Sequence, residues 1–205
     1  MFDLASLAAF SFTVLVIELT PGPNMAWLAV LTVGEGRRAG LAAVAGIAIG
    51  LTVIATATAF GLGAVIERSA FLYAVLRWSG VIFLLYLAWD GWREADERPH
   101  LNGKRGYGRY FLRGFVINVL NPKAALFYIA VFPGFMSPDR PLAAQAAVLA
   151  VISVSIATAI HLSIVGLADA ARPFLEDKRR HRFIKRALSL LLAGVALWLL
   201  ISTAR

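Results

Sequence analysis

Residues 4–33 read LASLAAFSFTVLVIELTPGPNMAWLAVLTV, a stretch that carries one charge, Glu18, and is interrupted near its middle by Pro21 and Pro23. A hydrocarbon core of about 30 Å needs about 20 apolar residues per helix. This stretch is long enough to cross even with its interruption. Comparable segments follow: Ala39 to Ile66, Phe71 to Ala88, Gly114 to Phe132 (also interrupted), Leu142 to Ala168 and Ala187 to Ala204. The chain is 60% hydrophobic and 16% charged. A soluble domain carries about 25% charge, because charge keeps a surface in water. The sequence therefore predicts an all-α integral membrane protein, in which six transmembrane helices form two inverted three-helix repeats.

Residues 1–205 form a single transmembrane domain in this reading. Repeat one covers about 1–92, repeat two about 110–205, and a basic linker joins them. Little soluble mass remains for a separate catalytic domain.

The net charge of +8 does not indicate a nucleic-acid partner, because the cations are confined to connections. Arg37 and Arg38 follow the first span. Arg93, Arg98, Lys104, Arg105, Arg109 and Arg113 follow the third. Arg172, Lys178, Arg179, Arg180, Arg182, Lys185 and Arg186 follow the fifth. The opposite side holds Arg68, Arg77, Arg140 and Arg205. Short loops rich in Lys and Arg stay cytoplasmic, so both termini are expected outside. A cleavable signal peptide is not expected, since the start lacks a positive region. With no cysteine, disulfides and thiol chemistry are excluded.

The interruptions carry the functional signal. Thr20-Pro21-Gly22-Pro23-Asn24 breaks the first span and Asn121-Pro122-Lys123 breaks the fourth. Proline has no N–H to donate four residues back, so the carbonyls of Ile17, Leu19 and Asn118 are expected to lose their helical partners. Thr20 and Asn121 are good N-caps, each followed by Pro, a favoured first helical residue. Each restarted half-helix would aim free N–H groups and partial positive charge at the membrane interior. Such an end suits a carboxylate, and freed carbonyls suit an ammonium group. Each break lies in the first span of its three-span half. That correspondence is the sequence pointer to a midplane substrate site.

Glu18 precedes the first break and Lys123 follows the second, and ionisable residues at such depth are usually functional. Two readings stand: Lys123 meets a substrate carboxylate while Glu18 meets an ammonium or carries a proton, or the two form a structural pair. His161, mid-span, serves a helix–helix hydrogen bond or proton carriage. Asp90 and Asp169 lie near cytoplasmic ends, where solvent or arginine explains them. Gly36, Gly40, Gly46 and Gly50 give small-residue spacing for close packing, within the chain or at a homodimer seam. Trp78, Tyr86, Trp89 and Trp92 suit interfacial anchoring. No catalytic triad, metal-ligand cluster or phosphate loop is recognisable, and His100 with His181 would make a poor metal site.

These residues resemble a known family. Thr20-Pro21-Gly22-Pro23-Asn24, Gly36-Arg37-Arg38-Ala39-Gly40, Gly46 and Gly50 are similar to the first signature of the LysE/RhtB amino-acid exporters. Arg113-Gly114-Phe115, Asn118, Asn121-Pro122-Lys123, Phe127 and Pro133-Gly134-Phe135 are similar to the second. The resemblance covers essentially the whole chain. It implies a secondary exporter of amino acids across the bacterial inner membrane, coupled to protons and without a cofactor. The substrate-binding candidates are Thr20, Pro21, Gly22, Pro23, Asn24, Asn118, Asn121, Pro122 and Lys123. Glu18 and His161 are the proton-coupling candidates. Asp90 departs from the family pattern, where an apolar residue is commoner. An intramembrane enzyme would have only Glu18, Lys123 and His161 to work with. A channel would need a polar lining that the fifth and sixth spans lack.

Overall fold

The computed structural model describes residues 3–61, 69–93, 106–137, 139–172 and 178–202, and those residues are helical throughout, with short connections. Arg68, Arg98, His100, Lys104, Arg105 and Arg205 lie outside this set, as does the side chain of His181, so the expectations for them go no further.

Helix α1 (Leu4–Leu19) opens at Asp3, whose carboxylate accepts the Ser6 N–H at 2.7 Å. It stops at Thr20, and α2 (Pro23–Glu35) continues at an angle of 55°. Gly36 turns the chain with φ +90, a conformation that strains any residue with a Cβ. Helix α3 (Arg37–Ala59) then runs back. After α4 (Ala70–Arg93) and α5 (Tyr107–Val119) comes the second break. Its continuation is α6 (Pro122–Leu126), a π turn over Phe127–Val131 and a 3-10 turn over Phe132–Phe135, bent 48° from α5. Helices α7 (Leu142–Ala171) and α8 (Lys178–Ser202) complete the bundle.

By length and composition, α3, α4 and α7 each suffice to cross a membrane, and each bent pair suffices when counted as one span. That gives up to five of the six expected crossings. The sixth would be α8, which begins in a run of basic residues. Side chains such as Phe12, Ile82, Val151, Leu167 and Leu190 point outward and are exposed. An apolar exterior of this kind is unfavourable in water and matched to lipid.

Small residues set the centre of the bundle. A methyl group on Gly46 would overlap the Phe111 carbonyl, and one on Gly114 would overlap the Ala43 carbonyl, so α3 and α5 cross backbone to backbone. Gly50 faces Asn118 across the same crossing, and Gly40 faces Thr32 and Val165. This glycine stripe is thus used within the chain. Helix α7 packs against α1, α2 and α3, while α4 packs against α8. Described residues that border the three basic connections meet at one end of the bundle. There Arg172 lies against Gly36, Lys185 approaches Glu35, and Arg109 and Arg113 approach Asp90.

Candidate functional site

The two breaks restart their helices differently. At the second, Asn121 is the N-cap, as expected. Its side-chain oxygen accepts the Lys123 N–H at 3.0 Å, and Pro122 is the first helical residue. At the first, the expectation for Thr20 is overturned. Thr20 ends α1: its N–H reaches the Val16 and Ile17 carbonyls, and its hydroxyl donates to Val16 at 3.0 Å. The N-cap is Gly22, which offers no side chain, and Pro23, not Pro21, takes the first helical position. Three residues, Thr20 to Gly22, separate the segments, with Thr20 and Gly22 extended, because Pro21 and Pro23 both withhold a donor.

Ile17 and Asn118 lose the donor four residues on, as proline requires, but neither carbonyl is stranded. The Ile17 carbonyl accepts from Thr20 at 3.2 Å, and the Asn118 carbonyl accepts from Asn121 at 3.0 Å. Tightened last turns of this kind satisfy carbonyls that proline would otherwise strand. The carbonyl that meets a cation is that of Thr20, which accepts the Lys123 ammonium at 2.6 Å.

The breaks lie side by side. The Lys123 bond joins the second half-helix to the first break. Asn24, in the first turn of α2, donates through Nδ2 to Asn118 Oδ1 at 2.9 Å, at the end of α5. Gly22 packs on the Lys123 stem, where an added methyl would stand 3.3 Å from Cδ. Gly22, Pro23, Asn24, Asn118, Asn121 and Pro122 are buried, Lys123 is partly buried, and Thr20 and Pro21 are exposed. Of the nine substrate-binding candidates, only these last two lie on the outer side of the cluster.

A cavity of about 20 Å³ lies between the breaks, bordered by Gly22, Asn24 and Met25 on one half-helix and Asn121, Lys123 and Ala124 on the other. Glu18, Asn118, Phe127 and His161 complete its polar and aromatic wall. The volume admits about one water, not an amino acid. Three buried polar atoms on its wall residues lack partners: Asn24 Oδ1, Asn118 Nδ2 and His161 Nδ1. His161 is fully buried, and its Nε2 stands 3.9 Å from Glu18 Oε2, beyond hydrogen-bond range. Glu18 therefore faces His161, whereas the Lys123 ammonium is engaged by a backbone carbonyl. The direct Glu18–Lys123 pair of the alternative reading does not form.

Two clusters flank this cavity along the broken helices, and sequence reading named Phe127, Phe135 and Lys185 among them without joining them to their partners. On one side Phe10 packs its ring against Phe127, Phe132 and Phe135 at centroid distances of 6.2, 6.1 and 5.1 Å. Tyr128 adds a bond to Ser153 at 3.0 Å. On the other, at the basic end, Glu35 accepts from Tyr110 at 2.8 Å and stands 3.9 Å from the Lys185 ammonium. That second cluster ties α2 to α5 and α8. Its members come from distant spans, so only their positions at span ends signal them. Asp90 is buried and arginine-paired, at 2.6 Å from Arg113 and 3.2 Å from Arg109, and Asp169 stands 3.7 Å from Arg172.

Comparison with known proteins gives these features a context. The chain is 27% identical over 181 residues to a homoserine/homoserine lactone efflux protein of Salmonella typhimurium, covering 87% of this chain and 88% of that one. It is 26% identical over 204 residues to a threonine efflux protein of Salmonella typhi, covering 93% and 97%. An uncharacterized membrane protein of Bacillus subtilis, YrhP, is 24% identical over 200 residues, covering 92% and 95%. No solved structure matches. The profile described as LysE type translocator matches residues 15–203, so the chain belongs to the LysE-type translocator family.

Proposed function

We propose that this transporter exports a small α-amino acid or close derivative across the bacterial inner membrane, coupled to protons, through a six-span bundle with both termini outside. The observation that carries the reading is the cavity bordered by the first turns of both broken helices. Half-helix N-termini supply unpaired N–H groups and partial positive charge, which match a carboxylate. Lys123 stands beside them. Asn24 Oδ1, an acceptor without a partner, matches an ammonium group, with Glu18 as its counter-charge.

The packing supports an inverted repeat. Helix α3 of the first half crosses broken α5 of the second, and α7 of the second half crosses broken α1 and α2 of the first. The third helices of the two halves, α4 and α8, pair with each other. Alternating access then follows from rocking one half against the other around the shared site. The aromatic cluster closes the outer side in this reading, and the Glu35, Tyr110 and Lys185 cluster closes the cytoplasmic side. Because the cavity is smaller than an amino acid, one of these closures must open before substrate enters. The efflux relatives support the direction and the substrate class. The proximity of Glu18 to His161 motivates the proton.

Counterflow in proteoliposomes tests this. Vesicles preloaded with unlabelled homoserine, threonine and other amino acids in turn should accumulate the matching labelled compound saturably. An imposed pH gradient should drive net movement without preloading. Accumulation that never saturates would point to a channel, and indifference to the gradient would remove proton coupling while leaving the carrier.

A further inference from the structure

The half-helix ends match only what every α-amino acid shares, its carboxylate and its ammonium. Discrimination among amino acids must come from the rest of the cavity wall. That remainder is apolar: Ile17 from α1, Met25 from α2, Leu51 from α3 and Phe127 from the π turn. Leu51 and Phe127 are buried, and Ile17 and Met25 are half-buried. Three of the four stand next to a polar residue of the site in the chain. Ile17 precedes Glu18, Met25 follows Asn24, and Phe127 comes four residues after Lys123. Leu51 is the contribution of an unbroken helix. It follows Gly50, where an added methyl would stand 3.0 Å from Asn118 Nδ2, so α3 closes on the cavity at that level.

The charges of the cavity are already spoken for. Among the described residues, its border holds one carboxylate, Glu18, and one ammonium, Lys123. In the proposed binding mode a zwitterion occupies both, its carboxylate facing Lys123 and its ammonium facing Glu18. A third charge, carried on the substrate side chain, would rest against the apolar wall with neither of these two left to meet it. Burying an unpaired charge is costly, whereas an uncharged side chain gains from the same contact. A proton on His161 would add a positive charge and disfavour a cationic side chain further.

We infer that Ile17, Met25, Leu51 and Phe127 form the side-chain subsite of this transporter, which admits uncharged side chains and excludes cationic and acidic ones. Leu51 and Met25 limit how long that side chain can be. Phe127 also packs on Phe10 in the aromatic cluster, so Leu51 and Met25 report on the subsite more directly. This inference rests on the amino-acid reading of the cavity.

Counterflow in proteoliposomes of the full chain, run separately with labelled alanine, threonine, leucine, lysine, arginine and glutamate, tests it. At least one of the first three should exchange saturably, at about 10-fold or more the rate of any of the last three. Leu51→Ala and Met25→Ala enlarge the subsite. At least one of them should raise the rate for leucine relative to alanine and threonine about 10-fold, the scale on which a methylene is discriminated in an apolar pocket. That ratio is read within one preparation, so a lower yield of folded variant leaves it unchanged. The wild-type panel stands whether or not either variant folds. Lysine, arginine or glutamate exchanging as fast as the best neutral compound would overturn the inference while leaving an amino-acid exporter. Ratios unchanged in both variants would also overturn it. Exchange of none of the six by folded wild-type protein would defeat the amino-acid reading itself, and the inference with it.

Discussion

The two broken helices solve one problem in different ways. Both interrupt a span with proline, and both must keep backbone groups satisfied where lipid offers no partners. The second break does so with a side chain: Asn121 caps Lys123, and the helix restarts at once. The first has no side-chain cap at its restart. Thr20 closes α1 by a tightened turn and leaves it extended, Gly22 is extended too, and Pro23 begins α2. The Thr20 carbonyl is served from the other half by the Lys123 ammonium. One break is self-sufficient and the other is completed by its counterpart. Sequence similarity between corresponding places therefore does not guarantee equivalent roles.

Five substitutions at four positions would break or sharpen that contrast. Replacing Asn118 with Leu strands the buried Asn24 amide at the meeting of the two breaks. An orphaned buried amide costs about 1–3 kcal/mol, and initial transport rates in proteoliposomes should fall roughly 100-fold. Lys123→Met leaves the Thr20 carbonyl without its donor, and transport should drop about 10-fold. Lys123→Arg, which keeps a donor, should recover part of that rate. Equal rates for Met and Lys would show that the ammonium neither bridges nor binds. Asn121→Ala removes a real cap and should cost about 1 kcal/mol, read as a lowered unfolding midpoint. Thr20→Ala removes only a hydroxyl that bonds back to Val16, and its effect should stay within about 0.5 kcal/mol. If Thr20→Ala proved as costly as Asn121→Ala, the first break would be capped after all.

Much of this was legible in the residues. The apolar spans, the two interruptions, their convergence and the burial of Asn24, Asn118 and His161 follow from hydropathy, proline chemistry and the scarcity of polar groups in lipid. Asn121 as a cap was legible because Pro122 follows it directly. Thr20 misled because the same dipeptide is followed by a second proline, and local propensity does not say at which proline the helix resumes. The partner of Lys123 was not legible, since it is a backbone carbonyl that no side-chain pattern announces. Nor was the link from Glu35 to Tyr110 and Lys185, which joins three segments remote in sequence.

In the proposed rocking cycle, the bond from Lys123 to the Thr20 carbonyl is a latch between the two halves. In that cycle it would hold the unloaded protein shut. A bound carboxylate competes for the same ammonium and so undoes the fastening as it arrives. Cargo and key are then the same molecule in that proposed cycle, which would keep an empty carrier from cycling idly.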